Sequence, residues 1–123
     1  MIKQVVPDER MTRALQKTVH KKQLAAASLS TEFYEAKFTL LYDALRILLE
    51  ILALKNGLKI YSHECYTAFL KETVRDSRLG DQFDALRKVR NNINYYGEEL
   101  TTAEAESLIE QCIQCIKSME AKK

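Results

Sequence analysis

The chain has 123 residues, 46% of them hydrophobic and 29% charged, an ordinary balance for a single folded domain with no compositional sign of disorder. Its three glycines and single proline are too few for a β protein with many turns. The formal charge is +2. No apolar run reaches the roughly 18 residues of a membrane span, and three cysteines are an odd number for a disulfide framework. We therefore expect a cytoplasmic, non-membrane protein.

The modest net charge hides an uneven distribution along the chain. Residues 1–30 carry a net charge of +4, and the other 93 residues sum to −2. The basic residues of this segment, set against Asp8 and Glu9, are Lys3, Arg10, Arg13, Lys17, Lys21 and Lys22. A basic helix can attract phosphate groups, and Arg13 and Lys17 are candidate RNA contacts, although basic helix faces more often simply meet water.

The first two helices are predicted from N-caps, apolar spacing and stop signals. The first runs from Glu9 to Ala27 behind the N-cap Asp8, with Met11, Leu15 and Val19 on its apolar side. The second, from Thr31 to Leu54, ends at Asn56-Gly57. Its apolar residues alternate spacings of four and three, as in a bundle helix: Tyr34, Phe38, Leu41, Leu45, Leu48 and Leu52.

Three further helices follow in the second half of the chain. Ser62 caps the third, and Gly80-Asp81 is interpreted as a stop followed by a new N-cap. The fourth then runs from Gln82 to Asn94 and is closed by Gly97, and Thr101 with Glu104 forms a capping box for the fifth. All three glycines then fall between helices. We predict an all-α fold, a single up-and-down bundle of four to five antiparallel helices, with a basic N-terminal helix (residues 1–30) packed on a 31–120 bundle in one domain, 1–123.

The fourth helix carries the most informative polar cluster. On a helical wheel, Phe83, Leu86, Val89 and Ile93 form the buried side, and the adjoining side carries Arg87, Arg90, Asn91 and Asn94. Arginine forks and amides suit phosphate and ribose recognition. The alternative is a solvated face near a helix C-terminus, where arginine also interacts favourably with the helix dipole.

Three segments together resemble the HEPN family, the helical partners of minimal nucleotidyltransferases. Residues 86–97, Leu-Arg-Lys-Val-Arg-Asn-Asn-Ile-Asn-Tyr-Tyr-Gly, are similar to the family signature of an arginine, a polar residue and a histidine four to six positions further on. Residues 41–46 and 57–63 resemble the second helix and the turn after it. The similarity covers roughly residues 31–120, with the order of the segments preserved.

The resemblance implies a helical bundle that forms a homodimer, with the motif near a cleft between the two copies. Active members are metal-independent endoribonucleases, often toxins of toxin–antitoxin pairs, in which the ribose 2′-hydroxyl attacks the neighbouring phosphate. Other members bind nucleotides or act as non-catalytic partners. By position, Arg90 is the motif arginine and Asn91 its polar neighbour, while the histidine window holds Tyr95, Tyr96 and Gly97.

Tyrosine in place of histidine changes the expected chemistry. A phenol with a pKa near 10 is ionised about one part in a thousand at neutral pH, so its use as a base costs roughly 4 kcal/mol. Five residues along a straight helix also rotate by about 500°, which turns Tyr95 about 140° away from Arg90. The two could meet only if the helix ends before Tyr95 or through a partner chain. Packing at a helix end or dimer contact is the alternative interpretation of both tyrosines.

Two other groups of residues, the cysteine pair of the fifth helix and His63, could have a metal-binding, redox or catalytic role. Cys112 and Cys115 have redox or zinc spacing, and His63 with Cys65 would complete a four-ligand set. Both cysteines lie on the apolar stripe of the fifth helix, so core packing is the favoured interpretation, with no metal and no cofactor. His63 could be a base supplied from outside the motif, although capping and solvent exposure also explain it.

These patterns predict a HEPN-like protein that binds RNA or nucleotide. Catalysis, if present, would be metal-independent RNA cleavage by Arg90 and Asn91 with Tyr95 or Tyr96, while Arg87, Asn94, Arg13 and Lys17 would bind phosphate. The alternative is a non-catalytic helical module that docks a nucleotidyltransferase partner.

Overall fold

The computed structural model describes residues 2–97 and 99–122, with residues 94–96 described by their backbone alone. Five α-helices dominate this part of the chain, and the 78% helical content confirms the predicted all-α bundle. In chain order the elements are β1 (Ile2–Gln4), α1 (Glu9–Ser28), a 3₁₀ turn (Thr31–Phe33), α2 (Tyr34–Lys55), β2 (Leu58–Ile60), α3 (His63–Glu72), α4 (Ser77–Tyr96) and α5 (Thr102–Glu120).

The helix α2 is the central element of the bundle. It packs against α1, α4, α5 and β2, and for this reason it is buried around most of its circumference rather than along one seam. Phe38, Leu45 and Leu49 on this helix are completely buried. A pair formed by α3 and α4 completes the bundle, and α4 also packs on α5. Among the described residues, no helix combines the length and apolar character that crossing a membrane requires.

The structure confirms the predicted N-caps of α1 and α5 but not the whole predicted apolar side of α1. Asp8 caps α1 by accepting hydrogen bonds from the backbone N–H groups of Arg10 and Met11, and Thr101 and Glu104 form both bonds of the capping box before α5. Both caps are confirmed. Met11, predicted on the apolar side of α1, is instead 42% exposed, because the contact of α1 with the bundle begins further along the helix, where Val19 and Ala26 are buried.

The predicted boundary at Gly80 is wrong. Gly80 lies inside α4, which begins three residues earlier behind Asp76, whose carboxylate accepts a hydrogen bond from Leu79 N–H at 3.0 Å. A Cβ at position 80 would lie 2.8 Å from Cγ of Lys71, so the missing side chain lets α3 and α4 approach closely. Asp81, predicted as an N-cap, is likewise helical and pairs with Lys71 at 2.6 Å.

The short ribbon of β1 and β2 was not predicted. The strands pair antiparallel, with Ile2 opposite Ile60 and Gln4 opposite Leu58. Gly57, which precedes β2, has the left-handed φ of +74° expected at a helix end, and its carbonyl accepts a hydrogen bond from Val5 N–H at 2.8 Å. The ribbon therefore holds the start of the chain against the segment that leads into α3 and His63.

Candidate functional site

Arg87 and Arg90 lie on the side of α4 that meets α2 and α3, and Arg87 is already paired. Its Nε and Nη2 donate to one oxygen of Asp84 at 3.0 and 2.9 Å, while Lys88 approaches the other oxygen at 3.2 Å. Burial raises the pKa of Asp84, but the hydrogen bonds from Arg87 and Lys88 outweigh it and lower that pKa overall. Arg87 is therefore neutralised within its own helix.

Arg90 is held much more loosely. Its side chain is only 18% exposed, and its Nη2 lies 3.8 Å from Oδ1 of Asp43, a distance too long for a hydrogen bond. Its Nε is buried and has no hydrogen-bond partner among the described residues. The guanidinium carbon lies 5.9 Å from the centre of the Tyr42 ring, within cation–π range. Arg90 thus keeps hydrogen-bonding capacity that its described neighbours do not use.

Tyr42 joins Arg90 to His63. Tyr42 is 1% exposed, stacks on Phe83 of α4 with ring centres 5.9 Å apart, and places its hydroxyl 2.8 Å from Nδ1 of His63. His63 is the first residue of α3, after Ser62, whose hydroxyl caps this helix as predicted by accepting from Cys65 N–H. Through Tyr42 the three elements α2, α3 and α4 are connected, because its ring stacks on α4 and its hydroxyl meets α3.

Arg46 adds a further cation, and no carboxylate of the described residues pairs with it. It lies one helical turn after Tyr42 on α2, is partly buried, and makes no ion pair or hydrogen bond within the part of the chain that the structure describes. Its charge is the largest electrostatic influence on both Tyr42 and His63. A cation held partly out of water without a counter-charge favours the binding of an anion.

The cations around His63 set its protonation. Burial, and then the positive charges of Arg46, Arg87 and Arg90, lower the pKa of His63, while Asp43 opposes them. Burial also raises the pKa of Tyr42, although the same three arginines act in the opposite direction. At neutral pH both rings are therefore uncharged, and the positive charge of this group resides on the arginines. We call Tyr42, Arg46, His63, Arg87 and Arg90 the arginine cluster.

Among the basic residues of α1, Lys22 is the one that forms an ion pair beside the arginine cluster. Lys22 lies 3.9 Å from Oδ2 of Asp43, so this carboxylate is placed between Lys22 and Arg90. Arg13 and Lys17, the predicted RNA contacts, are exposed, and Arg13 pairs with Glu9 at 3.9 Å. Arg13 precedes Lys22 by nine residues, about 13 Å and half a revolution along an α-helix. The structure does not bring Arg13 or Lys17 into the cluster.

The remaining motif residues are placed only in part. Asn91 follows Arg90 on α4 and is partly exposed. The side chains of Asn94, Tyr95 and Tyr96, predicted as site residues, lie outside the described residues. The backbone of α4 continues through Tyr96 and ends at Gly97 with a φ of +62°. The helix therefore does not end before Tyr95, which was the condition for Tyr95 to meet Arg90 within one chain.

The cysteine pair of α5 is part of the core. Cys112 and Cys115 are 0% and 1% exposed, and burial raises the pKa of the Cys115 thiol to about 11. In the described residues, no group of three or more His, Cys, Asp or Glu side chains is placed to hold a metal ion. The zinc set formed by these two cysteines with His63 and Cys65 is not assembled.

Two depressions on the surface lie away from the arginine cluster. Cavities of about 480 and 350 Å³ lie between α1, α2 and α5 and include no residue of the cluster. The cluster is instead a partly exposed surface at the meeting of α2, α3 and α4. Such a surface suits a charged group at the end of a ligand better than a fully enclosed small molecule.

Sequence reasoning identified Arg87 and Arg90 but gave no site role to Tyr42, Asp43 or Arg46 on α2. These three entered only through the resemblance of residues 41–46 to the second helix of the family. A signal was present, because Asp43, Arg46 and Glu50 recur at spacings of three and four and so form one polar line on α2. Comparison of the chain with protein-family models, with curated proteins and with solved structures found no match.

Proposed function

We propose that this chain is a HEPN-like helical bundle that binds RNA or nucleotides through their phosphate groups at the arginine cluster. The observation that carries the proposal is the state of Arg90, a mostly buried guanidinium with one long ion pair and an Nε that has no hydrogen-bond partner among the described side chains. Burying such donors unsatisfied costs free energy, typically about 1–3 kcal/mol for a group. A phosphate oxygen that approaches this surface supplies the missing acceptor and the missing negative charge.

The charges around Arg90 support an anionic ligand. Five cations face two carboxylates in this region: Lys22, Arg46, Arg87, Lys88 and Arg90 against Asp43 and Asp84. The local balance is therefore positive, although the chain as a whole is nearly neutral. Partial burial keeps this charge less screened by salt than a fully exposed patch.

The test is binding of a labelled single-stranded RNA, followed by fluorescence anisotropy at several salt concentrations. We expect Arg90→Gln to weaken binding at least tenfold, since it removes a charge-assisted contact. Arg78→Gln is the matched control, because Arg78 is an exposed arginine in the first turn of the same helix. Equal affinities of the two variants, or no binding by the intact protein, would contradict the proposal.

RNA cleavage is a separable part of the proposal, and it rests on the resemblance of Arg90-Asn91 to the family motif. In that reaction the 2′-oxygen bonds to phosphorus and the bond to the 5′-oxygen breaks. The 2′-hydroxyl gives its proton to a base, and the leaving 5′-oxygen takes up a proton from an acid or from water. Incubation of assorted RNAs with the protein in EDTA tests it directly. Products that end in a 2′,3′-cyclic phosphate, absent with Arg90→Ala, would support cleavage. Intact RNA under these conditions removes the enzymatic part and leaves the binding part.

A further inference from the structure

The hydrogen bond between Tyr42 and His63 assigns the protons of the imidazole ring. The Tyr42 hydroxyl is buried, and its contact with His63 Nδ1 is the hydrogen bond it makes within the described residues. A buried hydroxyl without an acceptor is costly, so the hydroxyl donates to Nδ1. The uncharged ring then carries its own proton on Nε2. His63 is thereby a hydrogen-bond donor at Nε2 and not a base.

The groups around His63 are donors as well. Arg46 has no described partner, Arg90 has a loose one, and both offer guanidinium N–H groups. Asp43 is the acidic side chain close to them, and it is shared between Lys22 and Arg90. A site made of two guanidinium groups and an imidazole N–H matches a ligand that only accepts hydrogen bonds and carries more than one negative charge.

We propose that the arginine cluster recognises a terminal phosphate, a phosphomonoester at the end of an RNA or on a nucleotide, held by Arg46 and Arg90 with a hydrogen bond from Nε2 of His63. This inference rests on the proposed function and narrows its ligand. A phosphomonoester carries a charge of about −1.5 to −2 near neutral pH and three acceptor oxygens. An internal phosphodiester carries one charge, and two of its oxygens are bonded to ribose. The donor set and the local charge both favour the monoester.

The experiment compares one RNA oligonucleotide in three forms: with a 5′-phosphate, with a 3′-phosphate, and with hydroxyl groups at both ends. We expect at least one of the two phosphorylated forms to bind about tenfold or more tightly than the form with two hydroxyl ends. Excess inorganic phosphate should reduce that difference. A preference for one end would identify which terminus is bound.

Equal binding of all three forms would overturn this inference and leave the proposed function standing, because internal phosphates would then carry the affinity. Absence of binding by every form would overturn both. The two results are therefore distinguishable in one measurement.

Three variants test whether Arg46 and His63 recognise the terminal phosphate. Arg46→Gln and His63→Gln should each remove most of the preference for a terminal phosphate, while Arg78→Gln should keep it. Because Arg46 makes no ion pair or hydrogen bond in the described part of the chain, its replacement should leave the fold intact even if His63→Gln does not. A preference that persists in Arg46→Gln would contradict the assignment.

The proton on His63 is measured independently by nitrogen NMR of the imidazole at pH 7.5. We expect the form with hydrogen on Nε2, and a shift of the Nδ1 resonance in Tyr42→Phe when the donated hydrogen bond is lost. A ring with hydrogen on Nδ1 would rule out the donor role of His63.

Discussion

Asp43 lies beside Arg90 without closing a hydrogen bond to it, with Oδ1 and Nη2 3.8 Å apart. The other oxygen of the same carboxylate lies 3.9 Å from Nζ of Lys22. Asp43 therefore reduces the positive charge at the arginine cluster while leaving the guanidinium donors largely unused. Under the proposed function, a ligand phosphate and Asp43 would compete for the same cations.

Removal of the Asp43 charge should strengthen anion binding. We expect Asp43→Asn to raise the affinity for the labelled RNA roughly two- to fivefold, the range of a partly exposed ion pair. The effect should shrink as salt is added. Glu35→Gln, which neutralises an acidic residue in the first turn of the same helix, is the control. Weaker binding by Asp43→Asn would instead mean that Asp43 positions Arg90 for the ligand.

His63 should titrate below the ordinary histidine range in the folded protein. Burial and the charges of Arg46, Arg87 and Arg90 lower its pKa, so Arg46→Gln should raise that pKa back towards 6.5. NMR titration of the ring protons measures both values. A pKa that is unchanged in Arg46→Gln would show that this arginine does not act on the ring.

The same shift predicts how stability depends on pH. Because the folded pKa of His63 is below the unfolded value, the unfolded chain binds the proton more readily as pH falls through about 6.5. The contribution of His63 therefore lowers the free energy of unfolding as pH falls from 7 towards the folded pKa. His63→Gln should flatten this part of the profile in urea unfolding, and a profile that keeps its slope in this variant would contradict the role given to His63.

The thiols of α5 should behave as core groups. Cys112 and Cys115 are almost fully buried, and burial raises the pKa of both. In a Cys65→Ser background, we expect both thiols to react with a thiol reagent only after unfolding. Cys112→Ser should lower the free energy of unfolding by about 1–3 kcal/mol, since it buries a hydroxyl among apolar groups. Rapid reaction of the native protein would contradict the core assignment.

Two glycines with similar backbone angles offer a matched pair. Gly57 and Gly97 have φ values of +74° and +62°, so alanine at either position meets the left-handed penalty of about 1–2 kcal/mol. A Cβ at Gly97 meets no atom of the described residues within 4 Å, whereas a Cβ at Gly57 lies 3.3 Å from the carbonyl oxygen of Val5. Gly57→Ala should therefore destabilise more than Gly97→Ala in urea unfolding. Equal losses would mean that Val5 moves aside freely.

Local signals in the sequence predicted most of the helices. The capping box at Thr101 and Glu104 and the apolar spacing of α2 depend on residues close together in the chain, and both are confirmed. Gly80 was misinterpreted as a helix boundary. A glycine stands there because Lys71 of α3 approaches it closely, and such a tertiary contact leaves no local signal in the sequence. The three-residue strands of the ribbon are too short for an alternating pattern to be recognised.

The candidate site was predicted mainly on the helix that carries the motif, with His63 as a possible base from outside it and Arg13 and Lys17 as further phosphate contacts. The wheel of α4 placed Arg90 at the boundary of the buried side, and its 18% exposure agrees with that position. Its surroundings depend on contacts between residues 42 and 63 and between residues 43 and 90, which no local pattern contains. The role of His63 likewise depends on which of its nitrogens faces Tyr42.

The ribbon has a practical consequence for work on this protein. Residues 2–4 pair with residues 58–60, three positions before His63, so the beginning of the chain supports the loop that delivers the imidazole. Deleting residues 2–4, or fusing a bulky tag to them, would remove strand pairing that supports the loop before His63, although these residues lie far from His63 in sequence. Loss of ligand binding in such a derivative would then report on a displaced loop and not on the chemistry of the arginines.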